Sequence, residues 1–116
     1  FGRVLNLMAY IELDQTEQIP YALRSTERYF ATRQRAYKFE PYFLELMHAI
    51  VKAKNGTDLR VAYQHYHDML IPLEHDPMEH AVFDHLDPIA WAQSKLTGLP
   101  FAKLVKQRAQ NAGRAA

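Results

Sequence analysis

The sequence predicts an all-α fold, an irregular right-handed array of helical hairpins with about five or six helices. Apolar residues recur at spacings of three and four along most of the chain, which is the period of a helix buried on one face. No segment alternates apolar and polar residues with the period of a strand. The chain contains only four glycines and six prolines, and the prolines stand at segment starts or breaks.

Two helices at about 3–13 and 17–34 are predicted to form the first hairpin. Thr16 lies in the joint between them and can cap the second helix. The apolar residues of the second helix form one stripe, which predicts that one face packs and the opposite face is solvated. This stripe comprises Ile19, Leu23, Thr26 and Phe30.

Four further helices continue the apolar period. They are predicted at about 40–54, 58–74, 79–97 and 100–106. Asn55 and Gly56 end the third helix, because glycine accepts the left-handed conformation found at helix ends, and Thr57 caps the fourth.

The fifth predicted helix contains Pro88 within its apolar period. Either one helix bends there, or the helix breaks and Asp87 caps a new one. The unbroken period favours one bent helix over 79–97. A single domain is therefore expected over 1–106, followed by a polar tail, 107–116, that frays.

Composition and charge narrow the possible functions. Hydrophobic residues make up 48% of the 116 residues and charged residues 23%, as in an ordinary globular domain. The net charge of +1 gives no general attraction to nucleic acid or to membranes, so such binding would need a local patch. No apolar run could span a bilayer, and no signal peptide opens the chain. The lack of cysteine excludes Cys-based metal sites and fits a cytoplasmic location.

Three stretches carry a resemblance to a known group of proteins. They are Tyr21-Ala-Leu-Arg-Ser-Thr-Glu-Arg-Tyr29, Tyr37-Lys-Phe-Glu40, and Ile89-Ala-Trp-Ala-Gln-Ser-Lys95 with Pro100-Phe101. Over roughly 3–106 the chain resembles the C-terminal helical region of bacterial proteins with degenerate tetratricopeptide-like repeats and no assigned reaction. The resemblance implies a helical-repeat scaffold. Since the chain has no initiating Met, we expect it to be a piece of a longer protein.

Residues that could carry chemistry are present but lack the required partners. Glu45 and His48 form a Glu-x-x-His element of the kind used in di-iron bundles, but such sites need a second copy and two further glutamates. The serines, Ser25 and Ser94, lie in no nucleophile turn. We therefore expect no catalytic residues, no metal and no cofactor, and a metal-dependent enzyme is the weakest alternative.

The leading expectation is a non-enzymatic protein-interaction or scaffold module. A series of tyrosines together with Trp91 supports it, because exposed aromatic residues favour interfaces, although most of them could simply fill the core. The expected partner is a protein segment or the protein's own missing N-terminal helices. Homo-oligomers through an exposed apolar strip on the first helix are a further possibility.

The alternative expectation is a nucleic-acid-binding helical module that uses a basic surface near the end of the second helix. Arginines beside aromatic rings are typical of sites for single-stranded nucleic acid. A run of charge at a helix end is, however, commonly a solvated face. The candidate partner-binding residues are Arg24, Arg28, Arg33, Arg35, Tyr37 and Lys38.

Overall fold

The chain folds into α-helices that pack mainly against their neighbours in sequence. The structure is a computed structural model that describes residues 2–32 and 37–115, and the side chains of 84, 85 and 112–115 lie outside that description. The helices are α1 (Gly2–Glu12), α2 (Ile19–Thr32), α3 (Phe39–Lys52), α4 (Gly56–Leu70), α5 (His80–His85), α6 (Pro88–Thr97) and α7 (Phe101–Ala115). Short 3₁₀ segments at Thr16–Gln18 and Ile71–His75 join some of them. The described ranges contain no strand, so the all-α prediction is confirmed.

Each of the first three helices packs against the next, and α4 packs against α6, which packs against α7. One core cluster extends from α1 to α6 and joins Val4 and Leu7 to Ile89 and Trp91. The indole Nε1 of Trp91 donates a hydrogen bond to Glu12 at 2.9 Å, although 79 positions separate them. The chain therefore folds back so that α6 contacts the end of α1.

The buried stripes follow the predicted helical period. In α2 the side chains of Ile19, Leu23 and Thr26 are buried. The Thr26 hydroxyl donates to the carbonyl of Ala22 at 2.8 Å, so this buried polar group is satisfied within its own helix. At the sharp end of α1, Asp14 takes a φ of 56°, which turns the chain into the first hairpin.

One helix start is capped differently from the prediction, and another is capped by a distant residue. Thr57 was the expected cap of the fourth helix, but α4 begins at Gly56, and the Asn55 side chain accepts from the backbone N–H of Asp58 at 2.8 Å. Asparagine is an equally good cap, and here it lies one residue before the helix. At the start of α3, buried Glu79 accepts from the N–H of Phe39 at 2.8 Å, so a cap comes from 40 positions away.

The structure divides the predicted 79–97 helix in two. α5 ends at His85, and α6 begins at Pro88. Asp87 accepts from the N–H of Ala90 at 3.1 Å, so it caps α6. A break is favoured because proline has no N–H for a continuing helix and is well tolerated at a first helical position.

The C-terminal tail is helical where a short helix at 100–106 and a frayed tail, 107–116, were expected. α7 runs from Phe101 to Ala115, after Gly98 ends α6 with a φ of 76°. Arg108 in its middle binds carboxylates from two other elements, which ties the helix to the rest of the fold. The predicted 58–74 helix instead ends at Leu70 and continues as a 3₁₀ segment containing Pro72.

The molecule measures 42 × 36 × 21 Å, and its radius of gyration is 14.3 Å. A folded domain of this length has a radius of gyration of about 13 Å. The array is therefore close to globular, about two helices thick. Among the described residues, no helix combines the length and the apolar character that crossing a membrane requires.

Candidate functional site

A groove of about 770 Å³ opens between α1 and α7. Its floor contains Met8, Leu86 and Trp91, each less than a tenth exposed. At its edges lie Leu5 of α1, which is 53% exposed, and Phe101 of α7, which is 42% exposed. Large apolar side chains thus continue from the core to the surface along one opening.

Both walls of the groove are helix faces with regular spacing. The wall from α1 consists of Leu5, Met8, Ala9 and Glu12. These positions are three and four apart, so they share one face of the helix. The wall from α7 follows the same rule and consists of Phe101, Val105, Arg108 and Ala109.

One end of the groove is fixed by an ion-pair cluster around Arg108. Its Nε donates to both carboxylate oxygens of Asp87 at 3.1 Å, and an Nη donates to Glu74. The Arg108 side chain is 21% exposed, which shields these bonds from solvent more than in an ordinary surface pair. Because Asp87 also caps α6, the cluster joins α6, α7 and the second 3₁₀ segment.

The α1 wall is held by a second cluster around Glu12. Its carboxylate accepts from Trp91 Nε1 and from Lys95 Nζ. Partial burial raises the pKa of Glu12, but the hydrogen bonds from Lys95 and Trp91 outweigh this and leave the pKa below its ordinary value. Glu12 is therefore held ionised, and Lys95 also lies 5.9 Å from the centre of the Trp91 ring.

The two clusters leave the groove apolar in character. Glu12, Glu74 and Asp87 each bind a cation of the fold, and Arg108 is shared by two of them. Two turns of α-helix, about 10 Å wide and 11 Å long, occupy about 850 Å³. The groove has the size of such a segment, and also the size of a small-molecule pocket.

None of the candidate partner-binding residues that the structure describes lines the groove. Arg24 and Arg28 are exposed on the outer face of α2. Lys38 binds Asp76 at 3.6 Å. Arg33 and Arg35 lie outside the described residues.

Tyr37 is half-buried beside a small cavity of about 150 Å³ that Tyr29, Phe30 and Phe39 also line. It was predicted as a partner-binding residue. Its ring lines this cavity at the start of α3 and is partly exposed, so its partner-binding role stays a prediction.

The two residues of the Glu-x-x-His element, both on α3, bond to different neighbouring helices. His48 bonds to Glu27 of α2 at 2.7 Å, while Glu45 bonds to His65 of α4 at 3.2 Å. Within 2–32 and 37–115, no group of three or more potential ligands is close enough to hold a metal ion. These pairs join α3 to the helices on either side.

Part of the aromatic series lies in the core, and Tyr10, Tyr37 and Tyr42 pack partly buried against it. Tyr63 and Tyr66 are buried and meet the Trp91 ring edge-on, with centroids 5.7 and 6.4 Å away. Tyr21 is 74% exposed and Tyr29 is 42% exposed. The exposed tyrosines therefore lie on α2, not along the groove.

Sequence reasoning missed the groove, and Arg108 in particular. A signal was present, because Phe101, Val105, Arg108 and Ala109 share one helical face. Because the residues from 107 onward are mostly polar, a frayed tail was predicted there instead of a helix. That α1 and α7 lie opposite each other depends on tertiary packing, which local periodicity does not contain.

Comparison of the chain with protein-family models, with curated proteins and with solved structures finds no match. No relative therefore assigns a role to any residue of the groove or of α2. The functional interpretation rests on the geometry of this chain alone.

Proposed function

We propose that the chain is a non-enzymatic interaction module that binds an amphipathic helix of a partner protein in the groove between α1 and α7. The observation that carries this proposal is the apolar opening itself, with exposed Leu5 and Phe101 at its edges. The charged groups around it already bind one another, so an apolar surface is what remains for a partner.

The shape of the groove favours a helix over a compact ligand. Its walls follow α1 over residues 5–12 and α7 over residues 101–109, which are distances of about 10–12 Å. Helix-in-groove recognition places apolar anchors at i, i+3, i+4 and i+7 along such a length. Complete burial of a large apolar side chain contributes about 1.5–3 kcal/mol, so half-exposed Leu5 and Phe101 together contribute about 2 kcal/mol.

The proposal also includes the arrangement of the helices. Successive packing of α1, α2, α3 and α4 supports a helical-hairpin array of the tetratricopeptide type, acting as a scaffold within a longer bacterial protein. The partner helix would come from another protein, or from a segment of the same protein that lies before the first helix. A cytoplasmic location fits the lack of cysteine.

The proposal can be tested by selecting from a displayed library of amphipathic helical peptides on the immobilised protein. We expect enriched peptides with apolar residues at i, i+3 or i+4, and i+7. Ala9→Arg places a long cation on the exposed α1 wall and should weaken binding at least tenfold. Val61→Arg, at a 64% exposed position on α4, is the matched control and should leave binding unchanged.

Three results would contradict the proposal. One is a selection that yields no helical pattern, and another is equal binding of the selected peptides to the Ala9→Arg and wild-type proteins. The third is sedimentation showing a stable dimer that Ala9→Arg dissociates, because a second copy would then occupy the groove. The Val61→Arg control separates a loss of binding or of a dimer in Ala9→Arg from a general effect of added charge.

A further inference from the structure

The outer face of α2 carries cations that the fold does not neutralise. Arg24 and Arg28 are exposed and one turn apart, a rise of about 6 Å along the helix. Tyr21, 74% exposed, lies on the same stripe because positions 21, 24 and 28 are three and four apart. In the part of the chain that the structure describes, no carboxylate forms an ion pair with either arginine. The α2 carboxylate Glu27 binds His48 instead.

A third arginine reaches this face from α1. The Arg3 guanidinium donates to the hydroxyl of Ser25 at 2.6 Å, and its central carbon lies 4.6 Å from the centre of the Tyr29 ring. Ser25 stands between Tyr21 and Arg28 on the helix surface, one turn from each. The ring contact and the hydrogen bond fix Arg3, and the bond uses only one of its five N–H donors.

We propose that this surface, the α2 arginine face formed by Arg3, Tyr21, Arg24 and Arg28, binds single-stranded nucleic acid. The three guanidinium groups would bind successive phosphates, and the exposed Tyr21 ring would stack on a base. Single strands fit this arrangement because their bases are available for stacking, whereas those of a duplex are paired and stacked internally. The site is independent of the groove between α1 and α7.

The number of cations sets the expected salt dependence. Each phosphate of a single strand that the protein neutralises contributes about −0.7 to the slope of log K against log salt concentration. Three contacts therefore give a slope of about −2, so affinity should fall about 20-fold between 50 and 200 mM salt. Loss of two arginines should bring the slope to about −0.7.

The test is fluorescence anisotropy of a labelled 20-nucleotide oligo-dT with the whole chain at both salt concentrations. Arg24→Ala combined with Arg28→Ala should weaken binding at 50 mM salt at least tenfold and flatten the slope. Lys52→Ala combined with Lys54→Ala also removes two exposed cations, from the end of α3 and the following loop, and should change affinity less than twofold. All four positions are exposed, and circular dichroism checks that each variant keeps its helices.

Stacking of the Tyr21 ring on a base is tested separately. Tyr21→Ala should weaken oligo-dT binding about tenfold, while Tyr21→Phe keeps the ring and should bind like the wild type. An abasic 20-mer with the same phosphates should bind the wild type as weakly as oligo-dT binds Tyr21→Ala. No binding at 50 mM salt would overturn the proposal, as would equal losses in the arginine and lysine double variants. Equal affinity for oligo-dT and the abasic polymer would also overturn it, because the face would then be a general polyanion surface.

Discussion

Replacing Tyr66 by phenylalanine should stabilise the protein. Tyr66 lies at the centre of the core with no exposed surface, and its ring meets the rings of Phe43 and Trp91 edge-on. Among the described residues, its hydroxyl is the buried side-chain group with no hydrogen-bond partner. Phenylalanine keeps the ring and its contacts but removes that hydroxyl.

The expected gain follows from the cost of burying an unpaired polar group, which is about 1–3 kcal/mol in protein mutational data. Taking the lower end, Tyr66→Phe should raise the free energy of unfolding by about 1 kcal/mol. For a domain of this size, that corresponds to a rise in Tm of about 4 °C. Tyr66→Ala should instead lose about 3–5 kcal/mol, because it removes the ring from a packed core.

Urea unfolding followed by circular dichroism measures this difference, and Tyr63→Phe is the matched control. Tyr63 lies one turn earlier on the same helix, and its hydroxyl is not among the buried groups without a hydrogen-bond partner. Removing the Tyr63 hydroxyl should therefore change the free energy of unfolding by less than about 0.5 kcal/mol. An unchanged or lower stability of Tyr66→Phe would contradict this expectation, because it would mean that the Tyr66 hydroxyl has a favourable partner.

Alkaline pH gives a second readout of the same site. Burial raises the pKa of Tyr66 well above its ordinary value in the folded state. The folded pKa is therefore above the unfolded value of about 10. Titration of Tyr66 leaves the free energy of unfolding unchanged below pH 10 and lowers it as pH rises past 10, because only the unfolded state then loses the proton. Tyr66→Phe should lose less stability above pH 10 than the wild type.

Three further substitutions test the helix ends and the groove wall. Gly98→Ala should cost about 1 kcal/mol in urea unfolding, because a φ of 76° disfavours any side chain although no atom lies within 4 Å of the new Cβ; a neutral result would contradict that backbone conformation. Asn55→Ala should also cost about 1 kcal/mol, through loss of the cap of α4, and Asn55→Asp should restore it. The lowered folded pKa of Glu12 means that its contribution is complete above the unfolded pKa of about 4.5 and is lost as pH falls through the folded value. Glu12→Gln should therefore flatten the acid side of the stability profile, and an unchanged profile would show that the bond from Lys95 contributes nothing.

The helices were predictable where local pattern determines them. The stripe of Ile19, Leu23 and Thr26 is buried because residues at this spacing share one face, and any packed neighbour buries that face. The break at Asp87 was one of two readings that the sequence left open. Periodicity favoured the bent helix, but the lost hydrogen bond at Pro88 and the cap from Asp87 determined the structure.

The candidate site was much less predictable, because it is made by contacts between distant parts of the chain. Trp91 and Glu12 are both conspicuous in the sequence, yet nothing local indicates that they bond. The helical extent of α7 depends on Arg108 meeting Asp87 and Glu74, which are 21 and 34 positions away. By contrast, the exposure of Arg24 and Arg28 follows from their place opposite the apolar stripe of α2 and was predictable.

Amide chemical-shift mapping shows where on the protein a partner helix binds and whether it lies between α1 and α7. The ¹⁵N-labelled protein would be titrated with the tightest amphipathic peptide from the selection. We expect the largest shift changes at 5–12 and 101–109, with small changes around Val61. Changes concentrated on α3 and α4, or spread evenly over the chain, would contradict it.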